Sequence, residues 1–224
     1  FITSDSQACP SVYTLARRIM SLIVMSDSHV RLAKRFAGRV QIAAGFEPRP
    51  NIRHVVFDFD GTLSLVREGW PEVMVPMFEE LLPEAEGDTP ESVRHMLLDD
   101  IMTLNGKQTI YQMIRFAERV AERGGTPEDP LEYKHEYLRL LEKRINSRIA
   151  GLQSGEASSE QYLLLGSLNL LEALKSRGMQ LYLASGTDDV YVKREAKLLG
   201  VAEYFGEHIH GALDDYKSFS KRQV

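Results

Sequence analysis

The stretch that decides the fold, residues 52–64, reads I-R-H-V-V-F-D-F-D-G-T-L-S. Its apolar run at positions 55–57 is short, β-branched and aromatic, and turn residues follow it at once. That pattern predicts a strand buried on both faces of a parallel sheet. Asp58 and Asp60 come just past the carboxyl end of this strand, where open α/β sheets place their ligands. The stretch therefore predicts an α/β fold with a ligand site at its first strand.

The two carboxylates are predicted to share a metal ion. The side chains of Asp58 and Asp60 are close in sequence and repel each other, and a divalent cation relieves that repulsion. Hard oxygen ligands with few dedicated protein groups suit Mg²⁺. Gly61 lets the chain turn sharply without a Cβ, and the hydroxyl of Thr62 can tie the turn.

This segment resembles the first motif, D-x-D-G-T, of the haloacid dehalogenase (HAD) superfamily of phosphohydrolases. The resemblance implies that Asp58 attacks phosphorus to form an aspartyl-phosphate, which splits one hard displacement into two easier ones. It implies that Asp60 protonates the leaving oxygen and then deprotonates the attacking water. Both aspartates would hold Mg²⁺, and Gly61 and Thr62 would lie beside the phosphate. Dehalogenases of the superfamily lack an acid at the position of Asp60, so its presence favours phosphoryl transfer.

The second motif of that superfamily is an apolar strand that ends in Ser or Thr. Here residues 179–184 predict the strand, and Ser185, Gly186 and Thr187 follow it. By the resemblance these three residues bind phosphoryl oxygens, with Ser185 donating from its hydroxyl and Gly186 from its amide at the start of a helix. The alternative is that the serine or threonine is an ordinary helix N-cap.

Two helices are predicted to flank this second strand. Residues 160–177 have apolar positions at helical spacing and predict a crossover helix before the strand. Residues 188–199 predict a helix after it, which Gly200 ends.

The third motif supplies a lysine that neutralises the phosphate and the nucleophile. Lys221 fits the family spacing best, Lys217 is the second candidate, and Lys193 is predicted to be solvated. The fourth motif, one or two acids after another apolar strand, is missing, since the sequence ends three residues beyond Lys221. The chain is therefore predicted to be truncated before the last core strand or strands, with one metal ligand lacking.

The segment between the first two motifs is too long for one crossover and predicts four helices. Apolar residues recur at helical spacing over residues 71–82, 91–104, 109–123 and 131–152. An insert at this place resembles the helical C1 cap of the superfamily, a lid that closes over the site and excludes bulk water. The predicted domains are a Rossmann-like core of residues 51–66 and 156–224 and a cap of residues 67–155. Arg67 and Trp70 lie at the hinge, where Trp70 is predicted to pack rather than to stack on a sugar.

The loop between the second and third cap helices carries the residues predicted to read the substrate. By the resemblance, a glycine-containing loop at this place points into the active site, which makes Lys107 and Gln108 the candidates and Asn105 the next. The alternative is that Asn105 and Gly106 end one helix, Thr109 caps the next, and Lys107 lies in solvent.

Composition and charge exclude several classes of protein. Hydrophobic residues make up 43% and charged residues 26% of the 224 residues, as in globular proteins, which excludes disorder. The net charge of −5 gives no reason to expect nucleic acid or an acidic membrane as a partner. Cys9 is the only cysteine, so an internal disulfide is excluded. No stretch reaches the roughly 20 apolar residues of a membrane span, and a cytoplasmic protein is predicted.

Residues 1–50 are predicted to be a separate part of the chain. They carry seven Lys/Arg and three Asp/Glu, whereas the rest of the chain is acidic overall. Residues 48–51, Pro-Arg-Pro-Asn, disfavour a helix and mark a boundary. The apolar spacing upstream predicts a helical appendage or the tail of a preceding domain.

These patterns together predict a Mg²⁺-dependent phosphohydrolase that acts on a small phosphorylated metabolite; no oligomeric state is predicted. Two alternatives stay open: a phosphomutase of the β-phosphoglucomutase kind, and a non-catalytic HAD-fold module that binds a phosphorylated ligand or a protein partner. The missing fourth motif favours the module, but a binder needs no proton shuttle at Asp60. His54, His208 and His210 are predicted to be structural, because they lack partners for a Zn²⁺ site.

Overall fold

The structure, a computed structural model, describes residues 51–214; residues 1–50 and 215–224 lie outside the described part. The chain divides into two compact units, Phe1–Ile52 and Arg53–Val224, and the elements below belong to the second. The predicted N-terminal helices and both favoured third-motif lysines, Lys217 and Lys221, therefore fall outside the described residues.

Three parallel strands form the described sheet. They are β1 (His54–Phe57), β2 (Gln180–Asp188) and β3 (Ile209–Ala212), in the order β1-β2-β3. Phe57 pairs with Leu183 in a parallel register, so the carboxyl ends of β1 and β2 meet at the same edge of the sheet. The predicted α/β class with a parallel sheet is confirmed.

One face of β1 is open, which differs from the sequence prediction. Phe57 is buried, but Val56 is 57% exposed. Because successive residues of a strand point to opposite faces of the sheet, Phe57 faces the core and Val56 faces away from it. The predicted burial of both faces is wrong for the part of the chain that the structure describes.

The predicted cap, residues 67–155, contains four α-helices, as the apolar spacing predicts. They are α1 (Pro71–Leu81), α2 (Pro90–Thr103), α3 (Ile110–Glu122) and α4 (Pro130–Ser154). Side chains fix two of the starts: Thr89 and Ser92 form a capping box before α2, and Asp129 accepts the amide hydrogen of Leu131 before α4. None of the described helices is long and apolar enough to cross a membrane.

The cap helices share one apolar core. Phe78 of α1 stacks on Phe116 of α3 with ring centroids 4.0 Å apart, and Tyr133 of α4 meets Phe116 edge-on at 5.0 Å. All three side chains are buried. Aromatic pairs contribute roughly 0.5–1.5 kcal/mol beyond the area that they bury, so these contacts hold α1, α3 and α4 together as one unit.

The segment between the cap and β2 is not one continuous helix. A 3₁₀ turn covers Ser159–Tyr162, and α5 covers Ser167–Lys175. Between them Leu163 is extended and forms a β-bridge with Ser64 in the turn after β1. The helix predicted over residues 160–177 is therefore wrong in its first half, because pairing with the turn overrides the local helical spacing.

Strand β2 extends further than predicted. It runs through Asp188, and α6 (Asp189–Leu198) begins only after it, followed by the short α7 (Ala202–Phe205). Strand β3 pairs with β2 at Ala184 and again at Asp188, with an irregularity between them. This pairing keeps the Ser-Gly-Thr residues within the strand, so the prediction that Gly186 lies at a helix start is wrong.

Candidate active site

A tight turn after β1 sets the positions of the two aspartates. Asp58 follows β1 directly, and Asp60 precedes a turn in which the amide of Gly61 donates to the carbonyl of Ser64 at 2.9 Å. Gly61 has a φ of +72°, and a Cβ there would meet no atom within 4 Å, so the turn requires glycine for its backbone conformation. Thr62 is exposed and closes the turn with its amide, at 3.2 Å from a backbone carbonyl, instead of with the predicted hydroxyl.

The parallel pairing of β1 with β2 brings the first two motifs together. Oδ2 of Asp60 accepts a hydrogen bond from Thr187 Oγ1 at 2.7 Å and another from Ser185 Oγ at 3.2 Å. The amide of Thr187 donates to Ser185 Oγ at 3.0 Å, which holds the buried serine hydroxyl in place. Both hydroxyls that the sequence assigns to the phosphate thus donate to Asp60 in this structure.

The surroundings of Asp60 favour the protonated form of its carboxyl group. Burial, the largest effect, raises the pKa of Asp60 above its ordinary value of 3.8. The guanidinium of Arg67 and the hydrogen bond from Thr187 lower this pKa in part, and the carboxylates of Glu195 and Asp58 raise it again. Among the described residues, the second oxygen, Oδ1, is buried without a hydrogen-bond partner. A carboxyl group in this state is suited to deliver a proton.

A cluster of four charged side chains, of which Arg67 and Glu195 are buried, lies beside the aspartates. Arg67 is 4% exposed and donates from Nη2 and Nε to the two carboxylate oxygens of Glu195 on α6, at 2.7 and 3.1 Å. Arg194 of α6 pairs in the same way with Glu142 of α4, at 2.9 and 3.0 Å. The ring of Tyr191 lies 5.1 and 5.2 Å from the two guanidinium groups. The cluster therefore ties the hinge at Arg67 to one core helix and one cap helix.

These residues surround a small cavity of about 80 Å³ between the sheet edge and the cap. Asp58, Asp60 and the Ser-Gly-Thr residues of β2 line its core side, and Arg67 and Trp70 line its hinge side. The loop residues 105–107 and one face of α4 line its cap side. The structure thus brings both motifs and the cap loop, which are far apart in sequence, to one place.

The cap loop after α2 touches the core directly. Asn105 and Lys107 line the cavity, whereas Gln108 is only 4% exposed and is not among the lining residues. A Cβ on Gly186 would come within 2.5 Å of the carbonyl oxygen of Lys107, so this position requires glycine for the close approach of two backbones. Of the two cap residues predicted to read the substrate, the structure places Lys107 at the cavity.

An added methyl group at Gly186 is expected to keep the cap from closing fully. Replacing Gly186 with Ala should lower kcat/KM for phosphate release by about 10–100-fold, because small misplacements of active-site groups have effects of that size. Steady-state kinetics measures the change, and thermal unfolding serves as the control for folding. A kcat/KM within twofold of the unsubstituted protein would show that this contact does not matter for turnover.

A buried lysine joins the cap to the same edge of the sheet through two aspartates. Lys134 of α4 is 2% exposed, and its Nζ lies 2.8 Å from Oδ1 of Asp188 and 2.8 Å from Oδ1 of Asp214. The two aspartates stand at the carboxyl ends of β2 and β3. Sequence patterns did not single out Lys134, because one lysine on a long amphipathic helix gives no signal of burial.

The remaining predicted residues lie away from the cavity. Lys193 is 54% exposed and pairs with Asp189 one helical turn before it, at 2.7 Å. His54 and His208 pack against the ring of Tyr182, with centroid distances of 5.8 and 4.6 Å. These contacts give the two histidines a packing role at the sheet surface.

The described residues contain no group of three or more His, Cys, Asp or Glu side chains that could hold a metal ion. The metal ligands that the sequence predicts are Asp58 and Asp60, and both line the cavity. A Mg²⁺ ion at this site would therefore rest on the carboxylate of Asp58 and on an oxygen of Asp60, with backbone carbonyls, water and substrate oxygens completing its shell.

Comparison with known proteins identifies the chain's relatives. The family model described as haloacid dehalogenase-like hydrolase matches residues 52–222. A predicted phosphoglycolate phosphatase from Haemophilus somnus has 18% identity and a TM-score of 0.46, covering 73% of this chain and 65% of that chain. CbbY from Rhodobacter sphaeroides, in complex with xylulose-(1,5)bisphosphate, has 20% identity and a TM-score of 0.44, covering 72% and 64%.

A HAD family hydrolase from Deinococcus radiodurans, with bound phosphate and sodium, has 19% identity and a TM-score of 0.37, covering 71% of this chain and 58% of that chain. The chain spans less than two thirds of the length of these three solved structures. No curated protein sequence matches it.

Proposed function

We propose that this chain, which belongs to the haloacid dehalogenase-like hydrolase family, hydrolyses the phosphate ester of a small metabolite through an aspartyl-phosphate, with Mg²⁺ as cofactor. The observation that carries the proposal is the meeting of Asp58, Asp60 and Ser185 at one cavity beneath a closed cap. The two aspartates give a nucleophile and a proton donor side by side, which is the pair of groups that this reaction requires.

Asp58 is the proposed nucleophile. It follows β1 directly and lines the cavity, so a phosphoryl group bound there meets its carboxylate. One bond forms from a carboxylate oxygen of Asp58 to phosphorus, and the bond from phosphorus to the ester oxygen breaks. Water then attacks the phosphorus of the aspartyl-phosphate, which releases inorganic phosphate and restores Asp58.

Asp60 is the proposed proton shuttle. Because burial raises its pKa, it holds a proton more readily than an exposed aspartate and can give that proton to the departing ester oxygen. Once ionised, it can take a proton from the attacking water in the second step. Thr187 and Ser185 hold Oδ2 by hydrogen bonds, so Oδ1 is the oxygen that remains for these transfers.

The strand and the cap loop provide groups for binding phosphate. Ser185, Gly186 and Thr187 line the core side of the cavity, and Lys107 lines the cap side. Because both hydroxyls donate to Asp60, the amide of Gly186 is the proposed phosphate donor of this strand. A lysine is a compact positive charge suited to phosphate oxygens. Lys107 is thus the proposed cap residue that contacts the substrate.

The carboxylates at the cavity fit a Mg²⁺ ion. Asp58 and Asp60 lie together at the cavity, and two carboxyl groups this close favour a cation beside the one that is ionised, Asp58. Mg²⁺ is commonly held in proteins by one or two carboxylates plus substrate phosphate oxygens. When bound, it would offset the negative charge that the carboxylates and the phosphate share.

The size of the cavity supports a small substrate and a moving cap. A volume of about 80 Å³ is far below the roughly 300–1,000 Å³ of typical ligand pockets. A cavity of this size accommodates a phosphoryl group with few further atoms, so binding of a larger substrate requires the cap to lift from Gly186. Lids of this kind move on the μs–ms timescale and often limit turnover.

Phosphate release from a panel of phosphomonoesters, with Mg²⁺ and with EDTA, tests the proposal. We expect turnover of at least one small ester in Mg²⁺ and its loss in EDTA, because the carboxylates alone repel the phosphate. Absence of phosphate release from every ester would contradict the proposal. Isomerisation of a hexose phosphate without net release would instead identify a phosphomutase.

A further inference from the structure

Arg67 is a buried cation of the cavity that has no role in the mechanism above. Arg67 lines the cavity together with Asp58 and Asp60 and is 4% exposed. Arginine is rarely buried to this degree unless it is paired, and burying a charge beside a reaction site calls for a reason beyond packing. The way in which its guanidinium is held indicates what that reason is.

The described carboxylates hold the guanidinium group through Nε and Nη2 only, and Oε1 of Glu142 lies 3.6 Å from Nη2. The carboxylate oxygens of Glu195 accept hydrogen bonds from Nε and Nη2. The centroid of the Tyr191 ring lies 5.1 Å from the Cζ atom of Arg67. Among the described residues, no hydrogen bond to Nη1 of Arg67 is found. Since a guanidinium has five N–H donors in a rigid fork, the donors of Nη1 remain unused on a residue that lines the cavity.

The described surroundings balance the charge of Arg67 and leave the donors of Nη1 unused. Arg67 and Arg194 face Glu195 and Glu142 in a cluster of two cations and two anions, so the cluster carries no net charge. The fixed position costs little reorganisation when a ligand arrives, and preorganised donors bind anions best.

A hydroxyl donor also lines the cavity. Tyr137 of α4 is 4% exposed and lines the cavity. Burial, the largest effect, raises the pKa of Tyr137, although the guanidinium of Arg67 opposes the rise. The phenol therefore keeps its proton at neutral pH and can donate a hydrogen bond. Arg67 and Tyr137 together offer hydrogen-bond donors, and neither side chain carries a negative charge.

We propose that Arg67 binds a second anionic group of the substrate, a carboxylate or a second phosphate, apart from the phosphoryl group that is transferred. The inference rests on the proposed function for the place of the transferred group at Asp58. Guanidinium forks match carboxylate and phosphate geometry. A buried fork left unpaired disfavours substrates that lack the matching group, so the class of substrate is a phosphoester that carries another negative charge.

Calorimetry with matched ligands tests the inference. The full chain with Asp58→Asn, which cannot form the phosphoenzyme, is titrated in Mg²⁺ with 3-phosphoglycerate and with glycerol 3-phosphate, which differ by a carboxylate and a hydroxymethyl group. Fructose 1,6-bisphosphate and fructose 6-phosphate form a second pair, which differs by a phosphate. Comparing the two pairs shows whether the second anionic group that is bound is a carboxylate or a phosphate. We expect at least one doubly anionic ligand to bind about tenfold or more tightly than its partner.

Variants then assign the preference to Arg67. Arg67→Gln alone would leave the buried Glu195 with Arg194 as its one remaining described cation, so it is combined with Glu195→Gln, which removes both charges together. The combined variant should bring the two Kd values of the preferred pair to within about threefold. The matched control is Arg139→Gln with Glu136→Gln, the same change at an exposed pair on α4, and it should leave the preference intact.

The outcomes separate this inference from the proposed function. Equal Kd values within both ligand pairs overturn the inference, even if the protein releases phosphate. An equal loss of affinity for both members of a pair in the Arg67 variant also overturns it, because Arg67 would then contact the transferred group. A preference for the doubly anionic ligand that depends on Arg67, without phosphate release by the unsubstituted protein, supports the inference and overturns the hydrolase proposal.

Discussion

Replacing Asp58 with Asn is expected to lower kcat for phosphate release by about 10⁴-fold or more, as removal of a nucleophile does in enzymes with covalent intermediates. The substitution keeps the shape of the side chain, and it replaces the attacking carboxylate with a neutral amide. Asp58 stands directly after β1 and lines the cavity, and no other described carboxylate lines it except Asp60. The measurement is phosphate release at saturating substrate in Mg²⁺.

Folding and position are controlled in the same experiment. Asp99→Asn makes the identical change at an exposed site on α2 and should leave kcat unchanged. The Asp58→Asn protein should unfold at a temperature no lower than the unsubstituted protein, because one of two neighbouring carboxylates becomes neutral. A variant that folds and still retains a tenth of the activity would eliminate Asp58 as the nucleophile.

The two aspartates and the cap helices could be predicted from sequence because each depends on local patterns. A short apolar strand followed by Asp58, Asp60 and a turn glycine defines its own geometry, and the four cap helices follow their apolar spacing. Their bounds, such as Pro71–Leu81, lie close to the predicted ones. Such features need no knowledge of what packs against them.

The errors fall where distant parts of the chain pair. Residues 160–177 have helical spacing, but Leu163 bonds to the turn after β1 and the first half becomes a 3₁₀ turn and an extended link. β2 continues through its Ser-Gly-Thr residues because β3 pairs with Asp188 beyond them. In both places hydrogen bonds between distant segments outweigh local preference, and one sequence does not reveal them.

The charged cluster at Arg67 could be predicted from the sequence at one position, Glu195. Glu195 stands on the buried stripe of α6 between Val192 and Leu199, which are 0% and 1% exposed. An acid at a core-facing position predicts a buried cation as its partner, since charges are seldom buried unpaired. The sequence does not say which of many arginines and lysines that partner is, because Arg67 lies 128 positions away.

Replacing Asp60 with Asn is expected to give a loss that depends on the leaving group. The amide oxygen of Asn can accept the hydrogen bonds from Thr187 and Ser185 that Oδ2 accepts now. Its NH₂ group then takes the place of Oδ1, which has no hydrogen-bond partner among the described residues. The variant should therefore fold normally and lack only the proton shuttle. For an alkyl phosphate, kcat should fall by about 10²–10⁴-fold.

With p-nitrophenyl phosphate the Asp60→Asn protein should behave differently, because p-nitrophenolate leaves without a proton. The first turnover should stay fast, whereas hydrolysis of the aspartyl-phosphate still needs Asp60 to activate water. Rapid mixing should then show a burst of one p-nitrophenolate per site, followed by slow turnover, and phosphate bound to Asp58 should accumulate. Equal slowing of the first turnover for both esters would assign Asp60 to binding rather than proton transfer, since a lost binding contact weakens both esters alike.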